Sequence, residues 1–158
     1  MSRRGRGRGR EITVKIDKTE FPSVGVGILD DTKVLVKGAF PGETVKARVK
    51  KNREAYTEAK LLEVIEKAPY EIEPKCPYFG ICGGCSSQNL SYEKQLELLG
   101  EEVKDLFVKA NVTTGEYEGV TGSEDQFEYR NKMEFTFGDE FKGGELCLGM
   151  HMKNASFG

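Results

Sequence analysis

The sequence predicts a mostly β protein with one long helix, in the α+β class. Residues 11–68 contain short runs in which apolar and polar residues alternate, which is typical of strands with one buried face. Residues 91–110 carry apolar residues at helical spacing, and alternation returns after residue 127. We therefore expect a small β-barrel, a cysteine-containing loop, a helix and a partial antiparallel β domain.

Composition and charge narrow the class of protein. The chain has 158 residues, of which 37% are hydrophobic and 32% are charged, which is ordinary for a soluble protein. No apolar run approaches the roughly 20 residues of a membrane helix, so we expect no membrane contact. Unpaired thiols fit a reducing cytoplasm, where we place the protein.

Charge is segregated along the chain although the net charge is only −2. The first ten residues hold five arginines and no acid, whereas residues 69–158 hold eight basic and sixteen acidic residues. A cationic N-terminal part can bind phosphates while the acidic remainder faces elsewhere.

The N-terminal tail, residues 2–10, is an Arg-Gly repeat with no apolar residue to bury, which predicts disorder. Guanidinium groups bind phosphates bidentately and stack on exposed bases. We expect the tail to bind RNA; the alternative is a solubilising or cloning-derived tail. The arginines concerned are Arg3, Arg4, Arg6, Arg8 and Arg10.

Residues 11–68 predict five strands. Ile12, Val14 and Ile16 begin the alternation, and Gly25 and Gly27 allow a strong bend in the second strand. The other three strands are expected at residues 34–37, 45–49 and 56–66. Five short strands in so few residues favour a small closed barrel, and OB-like barrels commonly bind nucleic acid across one face.

A basic run, KARVKKNR at 46–53, would supply the phosphate-binding surface of this barrel. Phe21, Phe40 and Tyr56 are available for stacking on bases. The alternative is a solvated charged face with three core aromatics. The run as a group favours RNA binding through Lys46, Arg48, Lys50, Lys51 and Arg53.

Three of the four cysteines, Cys76, Cys82 and Cys85, form a Cys-x5-Cys-x2-Cys array. Thiolates select zinc, copper(I) or iron–sulfur clusters, and the array is one ligand short of the usual four. A redox dithiol, a disulfide and a structural zinc site are the alternatives. One CxxC pair with a single outlying cysteine fits a cluster better than a zinc knuckle.

Ser91 can cap a helix over residues 91–110, whose apolar stripe is expected to face the core. The alternation at 127–137 and 146–152 predicts a hairpin. Cys147 is expected to be an ordinary strand residue, and neither it nor His151 is expected to be the fourth ligand. The stripe consists of Tyr92, Leu96, Leu99, Val103, Leu106 and Ala110.

The string CPYFGICGGCSSQ resembles the iron–sulfur motif of the S-adenosylmethionine-dependent RNA uracil-C5 methyltransferases. The segment before it resembles their TRAM domain, and YRNKMEFTFG and LGMHMK resemble the start of their central domain. The resemblance implies that the three cysteines hold a [4Fe–4S] cluster whose fourth ligand lies outside this chain. It also implies RNA contact by Arg130, Asn131 and Lys132, for which a salt bridge or strand surface is the alternative.

The resemblance implies an RNA-binding N-terminal portion of an RNA (uracil-C5)-methyltransferase acting on 23S ribosomal RNA. Methyl transfer from S-adenosylmethionine would belong to a C-terminal domain that this chain lacks, so we expect this chain to be inactive by itself. We also expect it to be a monomer. The expected division is a tail at 1–10, a barrel at 11–68, a linker and cysteine loop at 69–90, and an incomplete central domain at 91–158.

Three other functions compete with this one. The first is a free-standing RNA-binding module with a structural zinc or iron–sulfur site, and the second is a transfer-RNA uracil-C5 methyltransferase. The third, a radical S-adenosylmethionine methylthiotransferase, is disfavoured because its Cys-x3-Cys-x2-Cys spacing and its domain order differ.

Overall fold

The computed structural model describes residues 9–139, 141 and 143–153. It is mostly β with one helix, as predicted. Of the tail arginines only Arg10 lies within the described residues. The elements are β1 Glu11–Lys15, β2 Lys18–Glu20, β3 Val24–Leu29, β4 Thr32–Lys37, β5 Thr44–Asn52, β6 Tyr56–Glu66, α1 Tyr92–Lys109, β7 Thr136–Gly138 and β8 Cys147–Gly149.

Strands β1 to β6 form one curled sheet in the order β1-β5-β6-β4-β3-β2. All neighbouring strands are antiparallel except β4 and β6, which run parallel. The sheet has six strands and not the predicted five, because Lys18–Glu20 adds a short edge strand to β3. The predicted small barrel is thus a half-barrel whose outer strands curl toward each other.

The concave side of the sheet encloses the main hydrophobic core. Alternate residues of β1, β4 and β5 point inward, and their exposed neighbours point to solvent. This alternation is the pattern from which the strands were predicted. The core comprises Ile12, Val14, Ile16, Val34, Val36, Ala39, Val45, Ala47, Val49 and Ala59.

Gly25 and Gly27 bring β3 against other backbone. A Cβ on Gly27 would lie 2.1 Å from the Lys15 carbonyl oxygen, and one on Gly25 would lie 2.6 Å from that of Ala39. The amide of Asp17 donates to the Val26 carbonyl oxygen at 2.8 Å across the same approach. Gly27 therefore lets β3 close onto β1, which curls the sheet, and Gly25 lets β3 pack on the segment that follows β4.

Helix α1 docks on the sheet domain through one buried face. Leu98 packs with Phe40 and Leu90 in a second, smaller core. One turn later, Glu102 is 2% exposed and accepts a hydrogen bond from the Ser23 amide at 3.1 Å. Ser91 caps the helix, as predicted, by accepting from the Lys94 amide at 3.3 Å.

The prediction that the apolar stripe of α1 faces the core was right only in part, because Tyr92, Leu96 and Val103 are half-buried while the other three residues of the stripe are exposed. Leu99 and Leu106 are 46% and 38% exposed, whereas the buried helix residues are Leu98, Gly100 and Glu102. The sheet domain offers Phe40 and the Ser23 amide as partners, so the face with Leu98 and Glu102 docks instead.

The C-terminal hairpin is much shorter than predicted. Among the described residues of this region, only 136–138 and 147–149 pair as strands, and the segment from Phe127 to Phe135 is not a strand. None of the described residues between Asn111 and Lys153 is buried, so no packed layer supports a longer ladder there. Within the described part of the chain, no helix is long and apolar enough to cross a membrane.

Candidate nucleic-acid interface

The curled sheet has two ends with different chemistry. We define the open end as the end where β1, β4 and β6 begin and where β3 and β5 finish. The closed end is the opposite one, where the loop at residues 38–43 packs on Leu90 and α1.

Basic residues gather at the open end because two chain segments reach it, the residue before β1 and the end of β5. Arg10 directly precedes β1, where its carbonyl oxygen accepts from the Val49 amide at 2.9 Å. Lys50 and Lys51 lie in the last part of β5, and Arg53 follows it. The structure thus brings Arg10 to the same end of the sheet as the second half of the predicted basic run.

The first half of the basic run is partly neutralised by one carboxylate. Lys46 and Arg48 on the outer face of β5 each lie 2.8 Å from an oxygen of Glu11 on β1. The Lys46 ammonium, followed by the Arg48 guanidinium, lowers the pKa of Glu11 to about 2, so this carboxylate stays ionised. A phosphate would have to compete with Glu11 for both cations.

The second half of the run is less neutralised. Arg53 forms an ion pair with Glu58 at 3.3 Å, and its guanidinium carbon lies 6.0 Å from the centre of the Tyr56 ring. Lys50 and Lys51 form no ion pair with any described residue. These two lysines are therefore the cations of the run that are most available to a phosphate.

The three proposed stacking aromatics differ in how exposed they are. Phe40 is 5% exposed and belongs to the second core, so its availability for stacking was wrongly predicted. Phe21 is 61% exposed. Tyr56 is half-buried at the open end, beside Arg53.

Arg130, Asn131 and Lys132 are exposed and lie outside any strand. Lys132 pairs with Glu134 at 2.9 Å, which is the salt bridge anticipated as the alternative for this group. Arg130 and Asn131 have no side-chain hydrogen bond to a described residue. These two side chains remain available as contacts.

The cysteine loop is tied together by Gln88. The Cys76 amide donates to the Gln88 side-chain oxygen at 2.9 Å, and Gln88 Nε2 donates to the Cys85 sulfur at 3.6 Å. The Gly84 amide donates to the Cys82 sulfur at 3.3 Å. Backbone and amide N–H groups thus point at two of the three sulfurs, as they do around metal-bound thiolates.

The donor chemistry of this loop fits a thiolate-bound metal, but its geometry is incomplete. Cys76, Cys82 and Cys85 are all free thiols. Across residues 9–139, 141 and 143–153, no three His, Cys, Asp or Glu side chains are arranged to hold a metal ion. The three sulfurs share one loop but do not converge, so binding a metal requires the glycines at 83 and 84 to let them move.

The described C-terminal segment pairs with the cysteine loop. The Gly83 amide donates to the His151 carbonyl oxygen at 2.9 Å, and the Lys153 amide donates to that of Ile81 at 2.6 Å. Met150 places its sulfur 4.0 Å from that of Cys82. Cys147 lies in β8 as an exposed strand residue, away from this contact.

The closed end contains a buried carboxylate, Glu43, whose protonation depends on pH. Glu43 is 1% exposed and accepts from the Phe40 amide at 2.9 Å. Burial raises the pKa of Glu43 to about 7, and the neighbouring Glu71 adds to that rise. Burial likewise raises the pKa of Tyr70 to about 12, whose hydroxyl donates to the Pro41 carbonyl oxygen. Nothing in the sequence pattern marked Glu43 as buried.

The fold and its basic end define a small β domain joined to a helix and a cysteine loop. Residues 5–62 match the TRAM domain family. The match covers β1 to β5 and most of β6.

Curated relatives extend the similarity beyond that domain. The chain is 50% identical to an uncharacterized RNA methyltransferase of Clostridium tetani, over 96% of this chain and 33% of the relative. It is 55% identical to one of Clostridium acetobutylicum, over 90% of this chain and 31% of the relative. It is 34% identical to the 23S rRNA (uracil(1939)-C(5))-methyltransferase RlmD of Marinomonas sp., over 89% of this chain and 31% of the relative. The chain spans about a third of the length of these relatives.

Proposed function

We propose that this chain is the RNA-binding portion of an RNA (uracil-C5)-methyltransferase that acts on 23S ribosomal RNA. The observation that carries the proposal is the gathering of Arg10, Lys50, Lys51 and Arg53 at the open end of a TRAM domain. The relatives' names support RNA methylation as the reaction, and the name of the Marinomonas relative supports 23S ribosomal RNA as the substrate.

Phosphate binding is the chemistry that this end can perform. Lys50 and Lys51, which have no ion pair with a described residue, can replace counterions along an RNA backbone, and arginine can bind phosphates or stack on bases. Methyl transfer from S-adenosylmethionine is proposed for the part of the relatives that this chain does not span. The share of this chain is to hold RNA so that a uridine can leave its stack.

We further propose that Cys76, Cys82 and Cys85 bind a [4Fe–4S] cluster with a fourth ligand outside this chain. Free thiols on one glycine-containing loop and N–H donors directed at two of the sulfurs support this ligand set. The cluster would hold the loop in one conformation and fix the described C-terminal segment against it.

RNA binding is tested with the whole chain and a fluorescently labelled single-stranded RNA. We expect binding that weakens steeply with salt, and weaker or equal binding to the DNA of the same sequence. Deleting residues 2–10 should reduce the salt slope by up to about 0.7 for each lost phosphate contact. Absence of RNA binding at low salt would contradict the proposal.

The metal proposal is tested by anaerobic reconstitution with iron and sulfide, followed by iron, sulfide and zinc analysis. Because the fourth ligand is outside this chain, we expect incomplete iron uptake at most, which Cys76→Ser, Cys82→Ser or Cys85→Ser lowers and Cys147→Ser leaves unchanged. Full zinc occupancy without iron uptake would instead favour a structural zinc site on the same loop.

A further inference from the structure

A cavity of about 140 Å³ opens at the basic end of the sheet. Its floor is apolar and consists of inward-facing core side chains, Ile12, Val34 and Val49, which are at most 8% exposed. A cavity of about 150 Å³ admits a single six-membered aromatic ring. The size and the floor therefore suit one planar ring lying against the end of the core.

The rim of this cavity carries hydrogen-bonding groups of both kinds. Thr57 donates its hydroxyl to the Asn52 side-chain oxygen at 2.5 Å, which leaves the Asn52 amide nitrogen without a partner among the described residues. Asp30 and Arg10 also line the cavity, and their side chains are of acceptor and donor type respectively. Nucleobase edges present donors and acceptors side by side, so this rim matches them better than it matches a purely apolar ring.

The charge around the cavity indicates what the ring would be attached to. Strand β5 supplies Val49 and Asn52 to the cavity. Its last residues include Lys50 and Lys51, and Arg53 directly follows it. A base entering the cavity would therefore have its neighbouring phosphates beside these cations. A base in a duplex cannot enter without leaving its stack, which makes a single strand the better ligand.

We propose that this cavity binds one unstacked nucleobase of a single-stranded RNA whose phosphates contact Lys50 and Lys51. The inference rests on the proposed RNA-binding function and adds a base-binding subsite to it. Asn52 donates to the edge of the base and Asp30 accepts from it, while Ile12, Val34 and Val49 contact its ring. The subsite distinguishes binding of a base from binding of the phosphate backbone alone.

The test uses the whole chain and a labelled single-stranded RNA of about 12 nucleotides, within the site size of one small β-barrel. Each nucleotide is replaced in turn by an abasic one, which keeps every phosphate. We expect one position at which loss of the base weakens binding about tenfold, with an unchanged salt slope. Asn52→Ala should weaken binding of the intact RNA similarly and remove its sensitivity to that abasic position.

Two further variants keep the test decisive. Asn52→Leu keeps about the same side-chain volume but has no hydrogen-bond donor. If Asn52→Ala folds poorly, Asn52→Leu takes its place in the test and should show the same weakened RNA binding and the same loss of sensitivity to the abasic position. Asn111→Gly removes the same amide at the C-terminal end of α1, where φ is 55°, and should leave binding unchanged.

The outcomes separate the two proposals. If the wild-type chain binds no RNA, the proposed function fails and the subsite fails with it. If the chain binds RNA with a steep salt dependence but no abasic position matters, or Asn52→Ala and Asn52→Leu bind like wild type, only the subsite is overturned.

Discussion

The closed end and the open end of one sheet differ in what their polar groups contact. At the closed end Glu43 and Tyr70 are bonded to the protein itself, beside a core of Phe40, Leu90 and Leu98. At the open end Lys50 and Lys51 have no ion pair with a described residue, and a cavity exposes the end of the core. The polar groups of the closed end therefore stabilise the fold, whereas those of the open end are available to a ligand.

The largest expected effect is on the closed end. Phe40→Ala removes a buried aromatic side chain and should lower the free energy of unfolding by about 3–5 kcal/mol. Phe21→Ala is the matched control, because Phe21 is 61% exposed and its loss should cost less than about 0.5 kcal/mol. Urea denaturation measures both. Equal costs would contradict the burial of Phe40 in the second core.

The second prediction concerns pH. The pKa of Glu43 rises from its ordinary value of 4.5 to about 7 on folding. Between these pH values the unfolded chain loses the proton and the folded chain keeps it, so stability falls as pH rises, by about 3 kcal/mol in total. Glu43→Gln should remove this fall.

The measurement is urea denaturation of wild type and Glu43→Gln from pH 4.5 to 8. Their difference in stability should change across this range in favour of the variant at high pH. Glu54→Gln, an exposed carboxylate at the open end, should follow wild type. A constant difference between wild type and Glu43→Gln would show that Glu43 titrates alike in both states.

The third prediction concerns the open end. Replacing Lys50 and Lys51 by alanine should lower the salt slope of RNA binding by up to about 1.4, at about 0.7 per contact, without changing stability by more than about 0.5 kcal/mol. Replacing Lys46 and Arg48, which already pair with Glu11, should change the slope less. Fluorescence anisotropy at several salt concentrations compares the two double variants. A larger loss of salt slope in the Lys46 and Arg48 variant than in the Lys50 and Lys51 variant would assign the RNA to the outer face of β5.

The smallest effect is expected at the helix cap. Ser91→Ala removes the acceptor for the Lys94 amide and should cost about 1 kcal/mol. Ser86→Ala, in the exposed cysteine loop, should cost almost nothing. RNA binding should stay unchanged in both, since neither lies at the open end. A loss of affinity in Ser91→Ala would link the helix to the interface.

Local pattern predicted the parts of the fold that local physics decides. The helix was expected at 91–110 and spans Tyr92–Lys109. It could be predicted because its N-cap residue and the helical spacing of its apolar residues are both local features of the sequence. The strands of the sheet domain followed from alternation over a buried core. β2 was missed because three residues at a sheet edge carry too little alternation to be recognised.

The rest depended on partners that are distant in sequence. Which face of α1 docks is decided by Phe40 and Ser23, far from the helix along the chain. The pairing of Lys46 and Arg48 with Glu11 follows from the register of β1 and β5. Thr57 and Asn52 at the cavity could have been suspected, since Thr57 is a polar residue in the inward phase of β6.

The parallel pairing of β4 with β6 has a consequence for how the domain folds. Strand β6 lies between β5 and β4, so it joins a β1-β5 pair to a β2-β3-β4 group. Until Tyr56–Glu66 has left the ribosome, both parts present unpaired edges, and β1 must wait for a partner that begins at Thr44. Such non-local contacts slow folding. We expect a nascent chain that ends before residue 56 to need protection from aggregation, and one that extends past residue 66 to complete its sheet.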